Sequence, residues 1–562
     1  MHFSIPDTEE FSDDSGSTYM GYNLHINGAF HCTLRYRQLH HLHELLKREY
    51  NTNALPYFPS KKILPLTPNQ LEERRAQLEK YIQLVGQDSN IILSELFNGF
   101  LLCAQHETRK MFECRVVGSW EGGEEVDLEV FLMNGFRVPL RINSNECSSE
   151  VLEKVCRQIQ LPSELIYYFS LFLIKREDDG HITILRKLQD FESPYISQKS
   201  MNCVSRIVLR KSYWDPAFDE DLIQDRVGLN LLYVQTVADV ERGGWLMRDE
   251  GGSRSSGDDT RSLLASLQAR GAKKEYLEAA RRNLHRYGFV HFGPCVCDYP
   301  KPGTPAVVSI GPRELVLRIT VQDEGGVGKT REGVFKVTRM KCWRITTLHN
   351  KREADMRADS PPSTSSSSSS STPSSSSSSP TSGGQVGGEG RSNSMGIPQF
   401  ELSFEYLLSK DRLQWVTVTS EQAILMSICL RDVVDELLLK RNGGSLGLGL
   451  NKSPIQSSLR LWGKGSEKSG KWSYMRLDGS VMTSGLPSRV HDNGKYVDGR
   501  TNRPTAVDMA SASEGAGASK SSSSPSPSTP LSPPRFVTNT VSPPLVAPVE
   551  NDAFEGIGDE DL

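Results

Sequence analysis

Two stretches of this chain cannot contribute to a core, and their positions organise everything else. SPPSTSSSSSSSTPSSSSSSPTSGG, residues 360–384, is entirely Ser, Pro, Thr and Gly. From residue 442 to the end Gly, Ser and Pro prevail again, and no periodic apolar pattern returns. Such segments bury too little apolar area to offset about 1–2 kcal/mol of backbone entropy per ordered residue, so they are expected to be disordered. The serine block separates two strand-like runs, VFKVTRMKCWRI and FELSFEYLLS. It therefore reads as an insertion, 353–397, in a surface loop. The rest of the 562 residues is more than one core can serve, and three or more domains are expected.

Charge and cysteine usage exclude several classes. The 65 basic residues nearly balance the 69 acidic ones, so a global nucleic-acid signature is missing and any anion site must be local. Ten cysteines are scattered without a CxxC pair, which argues against zinc ribbons and against a disulfide framework. MHFSIPDTEEF has neither a basic lead nor an apolar stretch and does not read as a secretory signal. The longest apolar run, LIYYFSLFLI (165–174), is half a bilayer span and is expected to be a buried strand. A cytoplasmic multidomain protein in a reducing compartment is expected.

The first 109 residues alternate strand and helix. YNLHINGAFHCTLRYRQL reads as a hairpin about Asn27-Gly28. In the helix that follows, Leu39, Leu42, Leu45 and Leu46 share a face. Thr67, Pro68 and Gln70 predict a capping box at the start of a second helix, with Leu71, Leu78 and Ile82 on one side. Between the helices, LPYFPSKKIL sets two lysines among aromatic and aliphatic residues, a composition suited to an anionic membrane surface. His40, His41 and His43 lie on a helix without a distant third ligand and read as polar surface, so no metal is expected.

RYRQL, LPYFPSKK and RRAQLEKY, in this order, resemble the phox-homology (PX) domain of sorting nexins. The resemblance implies that Arg35 holds the 3-phosphate of phosphatidylinositol 3-phosphate and that Tyr36 packs on the inositol ring. Lys61 would meet the 1-phosphate and Arg74 the ring hydroxyls. A guanidinium fork matches phosphate oxygens bidentately, whereas a lysine is a mobile point charge.

Downstream, VDLEVFLMNGFRVPLRI reads as a hairpin about Asn134-Gly135. SSEVLEKVCRQI reads as a serine-capped helix with Val151, Leu152, Val155 and Ile159 inward, and two strands follow. LIQDRVGLNLLYVQTVADVERG and LLASLQARGAKKEYLEAARRNLHRYGF are helical. Strand runs then close with EQAILMSICLRDVVDELLLK, an amphipathic helix. Ubiquitin-like lobe, helical lobe and strands closed by one helix are similar to a FERM module. Expected boundaries are 1–109, 124–210, 211–290 and 291–441, then a tail over 442–562. The fold class is α+β multidomain: a PX domain followed by a three-lobed FERM-like module whose last lobe is a phosphotyrosine-binding-like (PTB-like) β-sandwich.

RIVLRKSYWD, RVGLNLLYVQTV, FEYLLSKDRLQWVTVTS and the terminal FEGIGDEDL resemble the PX-FERM subfamily of sorting nexins. That resemblance implies an adaptor, peripheral on the cytosolic face of early endosomes. It would return receptors bearing NPxY or NPxF motifs to the cell surface, among them the LDL receptor family, integrin β tails and P-selectin. The partner at its C-terminal tail would be the Retriever complex, anchored by Leu562. NGGSLGLGL stands where relatives carry a basic stretch. The third FERM lobe would take a peptide by strand addition followed by an Asn-Pro turn. LQWVTVT (413–419) is the strand expected to offer its edge, with Trp343, Leu407, Val434 and Leu438 lining the groove.

The last twelve residues, NDAFEGIGDEDL, contain the Asn and aromatic of an NPxF ligand, Asn551 and Phe554, with Asp552 in place of Pro. A tether of about 110 residues spans roughly 60 Å, so this motif is expected to reach its own groove when cargo is absent. GGVGKT (325–330) raises a nucleotide-binding alternative. However, a P-loop needs Gly where Asp323 stands, and a helix where the β-branched REGVFKV follows. No catalytic constellation is present, and neither enzymatic activity nor a cofactor is expected. The remaining alternative class is a cortical FERM linker between membrane proteins and actin.

Overall fold

The computed structural model describes residues 1–12, 16–50, 55–62, 64–113, 124–177, 182–242, 254–299, 301–322, 328–348, 399–410, 412–441, 473–483 and 548–554. The serine block, the NGGSLGLGL stretch and Leu562 lie outside them. In the first lobe, β1 (Phe3–Ser4), β2 (Thr8–Ser12) and β4 (Ala29–Arg35) all pair antiparallel with β3 (Thr18–Ile26). Asn27 and Gly28 both have positive φ, 52° and 80°, and close a two-residue turn between paired Ile26 and Ala29. Helices α1 (Tyr36–Glu49), α2 (Pro68–Val85), α3 (Ser89–Ile92) and α4 (Glu95–Glu113) cover the sheet. Helix α1 buries its leucine face, and Thr67 and Gln70 exchange the reciprocal bonds of a capping box.

The second lobe contains β5 (Glu125–Phe131), β6 (Arg137–Asn143), α5 (Ser148–Gln158), β7 (Phe169–Arg176), β8 (Ile182–Lys187), α6 (Pro194–Lys199) and β9 (Arg206–Lys211). Its sheet runs β6-β5-β9-β7-β8, with β5 and β9 parallel at the centre. Two expectations need correction. Cys147, not a serine, is the N-cap of α5, and its amide donates to the Glu150 carboxylate at 3.1 Å. LIYYFSLFLI is not one strand: Ser163–Tyr168 form a 3₁₀ turn after Pro162, and the strand begins at Phe169. Leu165 and Tyr168 are buried three residues apart, a spacing that a 3₁₀ turn meets as well as a strand meets period two.

Helices α7 (Asp219–Ile223), α8 (Arg226–Arg242), α9 (Arg254–Ala269) and α10 (Lys273–Asn283) form the third lobe. The fourth comprises β10 (Val290–Cys297), β11 (Thr304–Ile310), β12 (Glu314–Gln322), β13 (Gly328–Lys336), β14 (Met340–Leu348), β15 (Gln399–Ser409), β16 (Arg412–Ser420) and α11 (Ala423–Arg441). Its strands follow the order β13-β12-β11-β10-β16-β15-β14, and α11 packs into a core with Trp343, Leu402, Phe404 and Val418. VFKVTRMKCWRI divides between β13 and β14. The serine block enters between Leu348 and Gln399, a paired position at the end of the β14-β15 ladder. Gly328, Lys329 and Thr330 open strand β13 opposite β12. A strand rather than a helix thus follows the GKT triplet, and no helix N-terminus is there to hold a phosphate.

Two tail segments join these lobes. β17 (Ser473–Met475) and β18 (Val481–Thr483) form a hairpin on the first lobe, and β19 (Val549–Glu550) pairs with β14. The lobes meet through apolar side chains, such as second-lobe Phe191 in the core of the first lobe, and through buried polar contacts. Glu436 of α11 accepts from the amides of Trp214 and Asp215, at 2.8 and 2.6 Å. Gln105 of α4 accepts from the Ser193 amide at 2.8 Å and donates to Ser197 at 3.0 Å, joining the first lobe to the second. No helix among the described residues is long and apolar enough to cross a membrane.

Candidate functional site

Arg35 ends β4 and caps α1. Its amide donates to Gln38 Oε1 at 2.8 Å, which fixes the turn from strand to helix. The guanidinium carbon lies 3.5 Å from the Tyr19 ring centroid, and Nη1 donates to the Leu477 carbonyl at 2.6 Å. Tyr36 donates to the Pro59 carbonyl at 2.7 Å, tying the 55–62 loop to α1. Arg74 of α2 stacks on the Tyr36 ring at 4.5 Å, and its Nη2 is 3.5 Å from the Ser60 carbonyl. Lys61 is exposed at the loop rim, with Tyr57 72% and Leu64 79% exposed beside it. Two guanidinium groups are each backed by an aromatic face, that of Arg35 lying under the 473–483 hairpin, and an exposed lysine stands next to apolar side chains. This arrangement can bind a phosphorylated headgroup while the loop tip enters an interface.

Two histidines of α1 pack on this loop, and the third, His41, shares a hydrogen bond with the Ser473 hydroxyl at 3.1 Å. His43 stacks on Phe58 at 4.8 Å and shares a hydrogen bond with the Tyr81 hydroxyl, and His40 meets Phe58 edge-on. No group of metal-ligating side chains occurs among the described residues. Beneath Arg35, the Glu107 carboxyl is pushed above its ordinary range by burial, against the opposing effect of the Tyr474 hydroxyl and Leu477 amide that it accepts from.

A second site lies on the fourth lobe. β14 pairs with β15 on one side, and its other edge takes β19, with Cys342 opposite Glu550 and Trp343 opposite Val549. Asn551 then anchors the turn. Its amide donates to the Lys341 carbonyl at 3.1 Å, and Nδ2 donates to the Val337 and Met340 carbonyls at 2.9 and 2.7 Å. Oδ1 accepts from the Ala553 amide at 3.0 Å, and the Asn551 carbonyl accepts from Phe554 at 2.9 Å. Ala553 is buried in the lobe's core cluster. Strand addition followed by an asparagine-anchored turn is thus formed within one chain.

The family models match in the same order as the lobes: the PX domain over 22–104, the F1 lobe of the sorting nexin 17/27/31 FERM domain over 126–214, the sorting nexin 17/31 F2 lobe over 215–284, and the sorting nexin 17 FERM C-terminal domain over 288–364 and 387–438. Sorting nexin-17 of Danio rerio is 44% identical over 461 residues, 82% of this chain and 86% of the relative. Sorting nexin-17 of Homo sapiens is 46% identical over 448 residues, covering 79% and 83%. The chain belongs to the sorting nexin-17 family. Sorting nexin-31 of Homo sapiens, at 34% identity over 78% of this chain and 86% of its own, is a further relative.

As a PX-FERM sorting nexin, the chain is built of binding modules rather than of a catalytic domain. Tyr36 and Arg74 meet on the 55–62 loop, with Lys61 at its rim, while the Arg35 guanidinium lies on Tyr19 and the 473–483 hairpin. Trp343, Val434 and Leu438 belong to one apolar cluster of the fourth lobe, which also holds Ala553. Leu407 is buried where β15 pairs with Leu413. The strand expectation needs correcting: LQWVTVT lies in β16, between β10 and β15, and the edge belongs to β14. Alternation along a strand reports which face is buried, and it carries no information on which edge is paired. The composition of the tail also concealed the hairpin 473–483. One local signal for it exists, Asp478-Gly479 flanked by Tyr474, Met475, Val481 and Met482.

Proposed function

We propose that this sorting nexin-17 family member is an endosomal cargo adaptor, in which the PX domain holds phosphatidylinositol 3-phosphate and the β14 edge reads NPxY or NPxF receptor tails. The observation that carries this reading is the docked Val549–Phe554 segment. An extended pair of residues, an Asn with every polar group engaged and a tight turn are what such a cargo motif would supply. The tail then acts as an internal stand-in for cargo. Asp552 lacks the preset φ of proline, which weakens the turn by about 0.4–1 kcal/mol and leaves the segment displaceable. Displacement would free the acidic terminus ending in Leu562 for the Retriever complex.

Calorimetric titration of an NPxY receptor peptide into the full chain and into a form ending at Val549 tests the groove. Tighter binding to the shorter form is expected. Absence of binding to either would refute the cargo reading. Flotation with phosphatidylinositol 3-phosphate vesicles tests the PX site: Arg35→Ala should abolish binding, and Arg35→Lys should restore only part of it, since an ammonium cannot grip phosphate bidentately. Preference for bisphosphorylated inositides would instead favour a cortical FERM linker.

A further inference from the structure

The hairpin 473–483 occupies a groove between α1 and α4 of the PX domain. Tyr474 is 2% exposed and lies 5.5 Å from Phe100, ring centroid to centroid. Its hydroxyl donates to Glu107 at 2.7 Å and accepts from Gln38 Nε2 at 3.0 Å. Gln38 Nε2 also donates to the Met475 carbonyl at 3.0 Å, and the Leu477 amide donates to Glu107 at 2.6 Å. Gln38 is completely buried under the hairpin. The turn is held by the Arg476 amide on the Ser480 carbonyl and by Gly479 at φ 94°. The Asp478 carboxylate is engaged within the turn by the amide and hydroxyl of Ser480.

The geometry points to an internal ligand of the PX domain: the hairpin Ser473–Thr483 places the Leu477 carbonyl on the Arg35 guanidinium and competes there with a phosphoinositide headgroup. This rests on the reading of Arg35 as the phosphate-binding arginine. A fork that already donates to a carbonyl cannot present the same N–H to a phosphate oxygen. A neutral carbonyl is the weaker partner, because charge-assisted bonds are roughly twice as strong, so phosphate wins once the hairpin lifts. Tyr474 therefore sets the threshold. Arg37, two residues along α1, also meets the turn of the hairpin. Its Nε and Nη2 are buried without a hydrogen-bond partner, and a Cβ at Gly479 would lie 2.8 Å from its Nη1. The Asp478 carboxylate of the same turn is held below its ordinary range by its Ser480 hydrogen bonds and in smaller part by the charge of Arg37, so Arg37 contributes to holding the hairpin closed.

The test uses the full chain and phosphatidylcholine vesicles with and without phosphatidylinositol 3-phosphate. Tyr474→Ala removes the anchor. Gly479→Val keeps the anchor and disrupts the turn, which guards against misreading a loss of PX stability. If the hairpin is closed in about nine molecules of ten, both variants should bind the lipid vesicles roughly tenfold more tightly than the parent. Hydrogen exchange at the Leu477 amide should be slow in the parent and fast in both variants. Unchanged affinity in variants whose Leu477 amide exchanges fast would overturn the competition, as would weaker binding by both variants, which would make the hairpin part of the lipid site. If neither parent nor variants bind lipid, the phosphoinositide reading of Arg35 fails, and the competition fails with it. Leu477 exchange then still reports whether the hairpin docks.

Discussion

Asn551 shows how one side chain can define a motif. Its amide nitrogen satisfies two backbone carbonyls, Val337 and Met340, while its oxygen caps the turn through the Ala553 amide. Aspartate has nearly the same shape but no donor, so Asn551→Asp would set a carboxylate against two carbonyl oxygens. Leaving buried polar groups unpaired costs about 1–3 kcal/mol, which is roughly a 5- to 150-fold loss in tail docking. The expected outcome is that NPxY peptide titrated into Asn551→Asp binds as tightly as it does to the form ending at Val549. Affinity equal to that of the intact chain would show that docking does not depend on the asparagine. The asparagine itself was legible in the sequence as half of a ligand motif. Its acceptors were not, because they are main-chain carbonyls some 210 residues away that no side-chain pattern marks.

Among the elements, the β3-β4 turn does two jobs. Asn27-Gly28 signals a two-residue hairpin, and the structure contains one. The same glycine meets the fourth lobe: a Cβ on Gly28 would lie 2.9 Å from Ile424 Cδ1. Gly28→Val therefore combines a left-handed backbone, costing about 1–2 kcal/mol, with a collision at the lobe boundary. Thermal unfolding should fall by about 2–4 °C per kcal/mol lost, and exchange at the start of α11 should rise. An unaltered transition would mean that the lobes do not press on each other there. The strand order shows the opposite balance. β14 and β16 both alternate apolar and polar residues, and only the return of β10 alongside β16 leaves β14 at the edge.

At the scale of the whole molecule, the lobes bury neutral histidines. Burial is the largest cause holding both His2 and His31 at about 4, below their ordinary 6.5. His31 bonds the Leu101 carbonyl and meets Phe191, a second-lobe residue packed into the PX core. At His2 and His31 the unfolded chain binds more protons than the folded one between about pH 4 and 6.5. The contribution of His31 is thus complete above pH 6.5 and declines on acidification, by up to about 3 kcal/mol below pH 4. Carboxyls raised by burial, such as Glu107 and Asp435, act with the opposite sign, so the test is differential. His31→Gln keeps a donor for Leu101. Between about pH 7.5 and 5 its urea midpoint should fall less than that of the parent. Parallel slopes would remove His31 from the acid response.

By itself the sequence determined the lobes. Helix faces at 3.6-residue spacing, the Asn-Gly turn, the Thr67 capping box and the PX and FERM strings are all local or near-local signals, and each is satisfied within its own lobe. It also supplied Asn551 in the tail and an apolar, β-rich fourth lobe, whereas the side chain that enters the core of that lobe is Ala553, with Phe554 only partly buried. Only the tertiary structure decided which edge receives the tail, that a hairpin from a Ser- and Gly-rich segment covers Arg35, and that Gly28 and α11 share a boundary. These are pairings across large sequence separations. Their stabilisation comes from backbone groups and buried area that exist only after the lobes have folded, and composition averaged over a long tail hides the few residues that make them.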